Sequence, residues 1–329
     1  MNRATPVKQF HVARGDAHGI DAGPLAGAVV AIGNFDGVHR GHRVVIDAAR
    51  KRARVLGRKA AALTFTPHPR LFFRPQDSLF QLSGERDKLR LLAATGLDGA
   101  VVMKFDAALA STSAEDFVSK ILAGALGIGG AAIGFDFHFG KNRAGSPSFL
   151  ADQGARLGFS VDVAPPLEDE GRPVSSGAVR AALAAGRVVE ATELLGAPWF
   201  VSAEVIHGEK RGRDLGFPTA NFRLDPSCGL KHGIYAVRAS VGGKRHDGVA
   251  SFGRRPMFDD GAPLLEVFLF DFDADLYGQV IDVAFIGWIR HEQKFESIEA
   301  LKRQMAADVD QARGALQRSG KAFPLLGDI

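Results

Sequence analysis

The chain has 329 residues, more than one hydrophobic core usually serves, so its length predicts two domains. Its 46% hydrophobic and 24% charged residues are typical of a soluble globular protein. The net charge of +4 is modest and spread along the chain, which argues against a dedicated nucleic-acid binder but would help attract anionic nucleotides.

Cysteine usage and hydropathy indicate where such a protein would work. Cys228 is the single cysteine, so no internal disulfide can form, and a reducing compartment is indicated. The first residues lack the apolar core of a signal peptide, and the longest weakly polar run, 122–135, is short and contains five glycines. We therefore expect a cytoplasmic protein with no membrane partner.

Strand-like and helix-like stretches alternate from residue 28 to about residue 186. The predicted strands are 28–33, 60–66, 99–105, 131–134 and 159–163, and the predicted helices are 40–56, 83–95, 113–126 and 146–157. Ser83 and Ser113 are expected to cap helix N-termini, and Gly96 and Gly158 fit helix C-termini. The alternation predicts an α/β fold with a parallel sheet, in which ligands bind beyond the carboxyl ends of the strands.

The segment 33–42 follows the first predicted strand and reads Gly33-Asn34-Phe35-Asp36-Gly37-Val38-His39-Arg40-Gly41-His42. Its glycines permit a sharp turn, after which His39 and His42 lie three residues apart on the first turn of a helix and share one face. Two incidental surface histidines would be the simpler interpretation of that spacing alone. The N–H groups and dipole of a helix N-terminus, however, suit a phosphate.

Three further segments lie at predicted strand ends. The segment 64–69 reads Thr64-Phe65-Thr66-Pro67-His68-Pro69 and, taken alone, would be interpreted as a proline-rich turn. In 134–145, three phenylalanines alternate with polar residues, a pattern that core packing explains poorly; they would offer a platform for a flat ring beside Lys141 and Arg143. The serines of 174–180, Val174-Ser175-Ser176-Gly177-Ala178-Val179-Arg180, fit either a helix cap or a phosphate contact.

Together these four segments resemble the FAD synthetase module of bacterial riboflavin-biosynthesis enzymes, within the nucleotidylyltransferase superfamily; Gly177 stands where a threonine is usual. The resemblance implies a Rossmann-like sheet and adenylyl transfer, in which the FMN phosphate attacks the α-phosphate of ATP and pyrophosphate leaves. His39 and His42 would face the ATP phosphates, and Arg180 would hold the pyrophosphate. The implied ATP or phosphate contacts are Gly33, Asn34, Phe35, Asp36, Gly41, Lys141, Arg143, Ser175 and Ser176. The implied flavin contacts are Phe65, Pro67, His68, Asp136, Phe137 and Phe139.

The pattern changes after Trp199 to short alternating runs with tight turns. The predicted strands are 201–207, 233–241, 245–253, 264–272 and 280–286. Their regular spacing predicts a small antiparallel β-barrel. A final helix is expected to begin near Ser297 and to pack on the barrel through a face formed by Leu301, Met305, Val309 and Ala312.

The segment 208–221 reads Gly208-Glu209-Lys210-Arg211-Gly212-Arg213-Asp214-Leu215-Gly216-Phe217-Pro218-Thr219-Ala220-Asn221. A charged surface loop would account for its first half only. Its glycines would let the backbone approach phosphates, and its basic side chains add positive charge. Thr219 and Asn221 offer neutral oxygens of the kind that Mg²⁺ accepts beside water and phosphate.

This segment is similar to the signature of riboflavin kinases, and Gly233-Ile234-Tyr235-Ala236-Val237, Leu265-Glu266-Val267 and 289–295 match that family in order. The resemblance implies that Glu266 takes a proton from the ribityl 5′-hydroxyl as it attacks the γ-phosphate of ATP. Without this resemblance, Glu266 would be interpreted as a solvent-facing strand residue. The implied ATP contacts are Gly208, Lys210, Arg211, Gly212, Arg213 and Pro218, the implied Mg²⁺ ligands are Thr219 and Asn221, and the implied flavin contacts are Arg290, Glu292 and Phe295. Ser251 and Met257 replace the usual asparagine and threonine of the family.

We therefore predict an FAD synthetase domain over 1–186 and a riboflavin kinase domain over 187–329, which convert riboflavin to FMN and FMN to FAD. The expected cofactor is Mg²⁺ and the expected small-molecule partners are riboflavin, FMN and ATP. Nucleic acid is not an expected partner, and weak self-association is compatible with this interpretation. The alternatives are a chain with one active module, or a regulator that binds flavin or nucleic acid without turnover.

Overall fold

The structure is a computed structural model that describes residues 9–208, 216–254 and 263–329. These residues form two compact units. The first contains the described part of Met1–Leu79 with Ser83–Ser175 and Leu325–Ile329, and the second contains Phe80–Leu82 with the described part of Ser176–Pro324. The main change from one unit to the other, at Ser176, falls inside the segment predicted for the first domain.

The first unit is built on a six-stranded sheet in which every pairing is parallel, which confirms the predicted sheet. Its strands are β1 His11–Gly15, β2 Val29–Ile32, β3 Ala60–Thr66, β4 Gly99–Lys104, β5 Gly130–Gly134 and β6 Ser160–Ala164. They are ordered β1-β4-β3-β2-β5-β6. The chain proceeds outward from β2 in one direction and from β5 in the other, so the loops that follow these two neighbours diverge and leave a crevice of the kind that binds ligands.

Helices flank this sheet, and the four predicted ones lie close to their predicted places. They are α1 Arg40–Leu56, α2 Pro69–Phe73, α3 Glu85–Ala93, α4 Ala107–Ser111, α5 Ala114–Asp116 with its wider continuation Phe117–Ala125, and α6 Pro147–Leu157. Ser113 caps α5 by accepting a hydrogen bond from the Asp116 N–H, and Gly158 ends α6 in the left-handed conformation, as predicted. The predicted cap at Ser83 is wrong. Gly84 precedes α3, and the buried Ser83 hydroxyl instead accepts from the Gly37 N–H.

Several short elements of the first unit, α2 and α4 among them, have no counterpart in the sequence prediction. β1 lies at the sheet edge and pairs with β4, although residues 1–27 show no readable pattern. Its burial alternates between half-buried and exposed, so it carries no continuous apolar run. A hairpin of β7 Glu168–Asp169 and β8 Arg172–Pro173 precedes the serine segment.

The second unit is a six-stranded, nearly closed antiparallel sheet, as predicted for a barrel. It begins with two helices, α7 Ser176–Ala184 and α8 Val188–Leu195. Its strands are β9 Phe200–Glu204, β10 Ala220–Arg223, β11 Gly233–Val241, β12 Lys244–Arg254, β13 Pro263–Leu269 and β14 Val280–Arg290, ordered β10-β13-β12-β11-β14-β9. A bridge from Ile206 to Asn221 brings the two edges together. The short β10 was not predicted.

The terminal helix α9, Ile298–Arg318, is capped by Ser297, as predicted, and packs on β11, β12 and β14. Its fully buried residues are Asp308, Ala312 and Leu316. Val309 was expected on that face, but Asp308 takes the buried place because its carboxylate pairs with Arg290 of β14. Among the described residues, no helix has both the length and the apolar character that crossing a bilayer demands.

Candidate functional site

The loop after β2 is held in a turn by two apolar anchors. Phe35 and Val38 have positive φ values of 51° and 45°, which side chains other than glycine seldom adopt. Both side chains are buried in the core and so compensate for this backbone strain. The Thr64 hydroxyl at the end of β3 donates to the Asn34 carbonyl over 3.1 Å. The loop is therefore pinned to its neighbouring strand.

The two histidines of this loop lie against each other, as their spacing predicted. Their rings are stacked, with centroids 3.6 Å apart and planes 19° apart. His39 is the N-cap of α1, and its Nδ1 accepts a hydrogen bond of 3.2 Å from the His42 N–H. A Cβ on Gly41 would lie 2.9 Å from the Val174 carbonyl oxygen and 3.1 Å from His39 Nδ1. Only glycine fits here without displacing the His39 ring.

The environment of the His42 ring favours a neutral imidazole. Burial, and secondarily the charges of His39 and Lys88, hold the pKa of His42 well below its ordinary value of 6.5. Among the described residues, no hydrogen-bond partner reaches the buried Nδ1 of His42. An unpaired lone pair there costs less than an unpaired N–H, so we infer that His42 carries its proton on Nε2. His39 does the same when neutral, because its Nδ1 already accepts.

We expect acid to destabilise the protein through His42. The unfolded imidazole takes up a proton near pH 6.5 and the folded one resists it, so the unfolded state binds more protons below that pH. The free energy of unfolding should fall by at most about 1.4 kcal/mol per pH unit from this group as the pH drops below 6.5, with no contribution above it. Urea unfolding of the wild type and of His42→Gln across this range checks the prediction. An equal decrease in the free energy of unfolding at acid pH in both proteins would contradict the prediction.

Asp36 belongs to the loop after β2 that leads to the two histidines, which we call the histidine loop, and it is buried. Its Oδ1 accepts from the Ser83 N–H over 3.1 Å, while the Ser83 hydroxyl accepts from the Gly37 N–H over 3.0 Å. This reciprocal pair ties the loop after β2 to the segment that precedes α3. Asp36 was expected to contact ATP, and the structure places its carboxylate in contact with the Ser83 N–H.

The segment after β3 presents a mixed surface. Phe65 is buried in the core, Pro67 is exposed, and His68 caps α2 by accepting from the Arg70 N–H. Phe72 and Phe73 of α2 are 37% and 63% exposed and pack edge-on against each other and against Phe105. Sequence reasoning missed these two exposed rings, although their proximity to the proline-rich turn was a usable signal.

The segment after β5 corrects one expectation. Core packing was thought to explain its phenylalanines poorly, yet Phe139 is buried in the core and stacks on Phe137, which packs against the same cluster. A Cβ on Gly145 would lie 2.6 Å from the Phe139 ring, so the loop closes tightly over it. Asp136, Lys141 and Arg143 are exposed and available to a ligand. The alternation arose because the loop folds back onto the sheet.

The serine segment spans the change of unit. Ser175 ends its stretch of the first unit, whereas Ser176 and Arg180 belong to α7 in the second. All three are half-buried. The Arg180 Nε donates to the Phe80 carbonyl over 2.5 Å within the second unit. Gly177, which replaces the usual threonine, is exposed.

In the second unit, one row of paired residues, most of them polar, crosses neighbouring strands; we call it the polar row. Asn221 of β10 pairs with Glu266 of β13, and Glu266 pairs with Ser251 of β12. The row continues through Ile234 of β11 to Arg290 of β14. Directly opposed residues of antiparallel strands project to the same face, so Asn221, Glu266 and Ser251 are side-chain neighbours. The sequence put Asn221 and Glu266 in different motifs, and strand pairing brings them together.

The Asn221 side chain is tightly enclosed by its neighbours. It is buried, and its Nδ2 donates to the Thr219 carbonyl over 3.1 Å and lies 3.4 Å from the Thr219 hydroxyl. A Cβ on Gly208 would come within 2.5 Å of the Asn221 amide, which explains the glycine. Lys210, Arg211, Gly212 and Arg213 lie outside the described residues, as does Met257.

A cleft of about 580 Å³ opens beside Thr219. Val267 and Leu269 of β13 line it, and they alternate with Glu266, which therefore faces the other side of that strand. Thr219 lines the cleft and also contacts Asn221, so it lies between the cleft and the polar row. Further lining comes from Pro218, Phe272, Asp273, Asp275, Leu276 and Tyr277. Sequence reasoning did not single out Asp273 and Asp275 as site residues.

Arg290 organises the segment that follows β14. Its guanidinium binds both Asp308 carboxylate oxygens, at 2.7 and 2.6 Å, and donates to the His291 carbonyl over 2.8 Å. It also lies 5.8 Å from the Phe295 ring centroid. The Glu292 carboxylate lies so close to β12 that a Cβ on Gly253 would meet its Oε1 at 2.3 Å.

Comparisons with known proteins agree on both units. The family model for FAD synthetase matches residues 23–178, and the one for riboflavin kinase matches residues 195–316. The chain is 42% identical to the bifunctional riboflavin kinase/FMN adenylyltransferase of Pseudomonas fluorescens, covering 87% of this chain and 92% of that protein. It is 38% identical to the Escherichia coli K12 protein of the same name, with 90% and 95% covered. A crystal structure described as a macrolide-efflux protein from Streptococcus pneumoniae superposes with a TM-score of 0.80 at 32% identity, covering 88% and 94%.

Proposed function

Because the chain belongs to the family of bifunctional riboflavin kinase/FMN adenylyltransferases, we propose that each activity resides in one of its two modules. The protein is an enzyme of FAD biosynthesis with both activities, and ATP is their common substrate. We assign adenylylation of FMN to residues 1–186 and phosphorylation of riboflavin to residues 187–329. The observation that carries this assignment is that the stacked histidines and the Asn221–Glu266 pair lie in different compact units.

For adenylyl transfer, we propose that the Nε2–H groups of His39 and His42 bind the ATP phosphates beside the N-terminus of α1. An FMN phosphate oxygen attacks the α-phosphorus, the bond to the β-phosphate oxygen breaks, and pyrophosphate leaves. Arg180 is the residue proposed to bind the pyrophosphate. Such chemistry needs positioning and compensation of negative charge more than bond-making by the protein. Two stacked imidazoles that each donate through Nε2 would suit two phosphate oxygens.

The other proposed contacts of the first module divide by ligand. ATP contacts are proposed for Gly33, Asn34, Phe35, Asp36, Gly41, Lys141, Arg143, Ser175 and Ser176. Flavin contacts are proposed for the accessible Pro67, His68, Asp136 and Phe137, with Phe65 and Phe139 supporting them from the core. Phe73 joins this set because its exposed ring adjoins the proline-rich turn.

For the kinase, we propose that Glu266 accepts the proton of the ribityl 5′-hydroxyl while its oxygen attacks the γ-phosphorus and ADP leaves. The cleft beside Thr219 would hold the nucleotide, with Gly208, Lys210, Arg211, Gly212, Arg213 and Pro218 around its phosphates. Arg290 would act indirectly, by holding Glu292 and Phe295 against the flavin. Because Thr219 lines the cleft and also contacts Asn221, the γ-phosphate would lie at Thr219, within reach of a hydroxyl held beside Glu266.

Mg²⁺ is the proposed cofactor of the kinase. The Asn221 amide donates through Nδ2, which leaves its oxygen for a cation, and the Thr219 hydroxyl lies within 3.4 Å of that amide. Two neutral oxygens with Glu266 nearby fit an ion that takes its remaining ligands from water and phosphate. When bound, Mg²⁺ would offset negative charge on the phosphates.

We place the enzyme in the cytoplasm, without nucleic-acid or membrane partners and with at most weak self-association. Cys228 supports a reducing compartment only in a limited way: it is buried, and burial raises the pKa of its thiol to about 11, so it is an unreactive group.

Chromatography of the flavins formed from riboflavin, ATP and Mg²⁺ tests the proposed function. We expect FMN first and then FAD, with both lost when EDTA replaces Mg²⁺. FMN alone would refute adenylylation by this chain and would point to Gly177. Turnover that survives EDTA would refute the metal assignment, and no turnover under any condition would favour a flavin-binding regulator.

A further inference from the structure

Lys88 of α3 is a buried lysine outside every motif singled out above. Its side chain is 7% exposed, and its Nζ donates to the Phe65 carbonyl over 3.2 Å. Burial of an ammonium is costly unless other groups compensate for it. Burial therefore lowers the pKa of Lys88 as the largest effect, and nearby carboxylates counter it. Because burying the ammonium is unfavourable, we looked for a role of Lys88 in its surroundings.

The groups around Lys88 come from four different elements. Asp36, in the loop after β2, and Glu85, on its own helix, both act to raise its pKa. His42 of α1 feels the charge of Lys88, and the Phe65 carbonyl belongs to the end of β3. Glu85 is itself paired with Arg14 of β1 over 2.5 Å. Lys88 thus contacts the carboxyl end of β3, and its charge acts on Asp36 of the loop after β2, where the proposed adenylylation residues lie.

We propose that Lys88 is a positioning residue of the adenylyl-transfer site, whose buried ammonium holds the end of β3 through the Phe65 carbonyl and compensates for the buried Asp36 carboxylate of the loop after β2. The inference rests on the proposed function of the first unit. Asp36 accepts from the Ser83 N–H over 3.1 Å and the Ser83 hydroxyl accepts from the Gly37 N–H over 3.0 Å, so a charge that acts on Asp36 acts on the loop that carries the histidines.

The charge of Lys88 has a second consequence for the same loop. A buried positive charge near His42 disfavours a second positive charge on its imidazole, in the same direction as burial. The other charged or titratable groups around this pair are His39, Asp36 and Glu85. Neutral His42 is the form inferred above to present Nε2–H. Removing the ammonium therefore loosens the loop and also raises the pKa of His42.

Three variants of the full-length enzyme test this proposal with FMN, ATP and Mg²⁺. We expect Lys88→Met to lower kcat for FAD formation at least about tenfold while changing KM less than about threefold, because a positioning group acts mainly on the bound complex. Lys88→Arg, which keeps the charge, should recover most of that loss. The acid limb of the pH–rate profile should move to higher pH in Lys88→Met. The exposed Lys51→Met in α1 is the matched control and should behave as wild type.

The second activity of the same polypeptide separates a local effect from misfolding. Riboflavin phosphorylation should be unchanged in Lys88→Met, because Glu266 and Asn221 belong to the other compact unit. FAD formation within about twofold of wild type, or an unshifted acid limb, would overturn the proposal. Loss of both activities would also overturn it, because that outcome marks a structural role. If wild type itself makes no FAD, the proposed function fails first.

Discussion

Replacing Glu266 with glutamine is expected to abolish FMN formation from riboflavin while leaving adenylylation of supplied FMN nearly unchanged. An amide keeps the size of the side chain and its place opposite Asn221 and Ser251, but it cannot take the hydroxyl proton. Loss of a general base typically costs about 10²- to 10⁴-fold in rate. The measurement is flavin chromatography with riboflavin and with FMN as separate substrates.

Glu204→Gln is the matched control for this variant, because Glu204 also lies on a barrel strand but is exposed on β9. It should retain both activities. Equal loss of both activities in Glu266→Gln would argue against separate sites. Retained FMN formation would remove Glu266 as the base and would turn attention to the acidic residues of the cleft, Asp273 and Asp275.

Replacing both His39 and His42 with alanine is expected to stop the reaction at FMN. The two stacked imidazoles at the N-terminus of α1 are the proposed donors to the ATP phosphates, and the loss of a donor aimed at developing charge costs about 10²- to 10³-fold in rate. Riboflavin phosphorylation should persist, so FMN should accumulate in a single incubation. The same chromatographic assay reports both outcomes.

A second double variant separates imidazole chemistry from helix capping. Alanine at position 39 also removes the cap of α1, which is worth about 1 kcal/mol of stability. His39→Asn with His42→Gln keeps a capping side chain and polar volume, and it should still stop at FMN. His18→Ala, at an exposed position, is the control and should make FAD. Continued FAD formation by both double variants would exclude the histidines from the adenylylation site.

Local patterns in the sequence were sufficient to predict the architecture of both units. Alternating strand and helix periods predicted the parallel sheet, and short regular strands predicted the barrel, because burying an apolar face demands those periods. The spacing of His39 and His42 predicted their shared face, because residues three apart on a helix are neighbours whatever surrounds them. Elements without an apolar face, such as β1, left no such pattern.

Only the tertiary structure decided which side chains the sites can use. Phe139 packs in the core because its loop folds back over the sheet, and Ser83 binds Gly37 because the loop after β2 passes beside it. The alignment of Asn221 with Glu266 follows from the register of β10 on β13, a pairing between distant segments.

Protonation and charge were likewise decided by the fold. Whether His42 is neutral depends on its burial beside Lys88, and a lysine in an amphipathic helix gives no sign that it will be buried. Desolvation and Coulomb effects depend on distances in space, which residue order does not contain. The sequence by itself therefore determined the two folds and their motifs, and the tertiary structure determined the state of the groups within them.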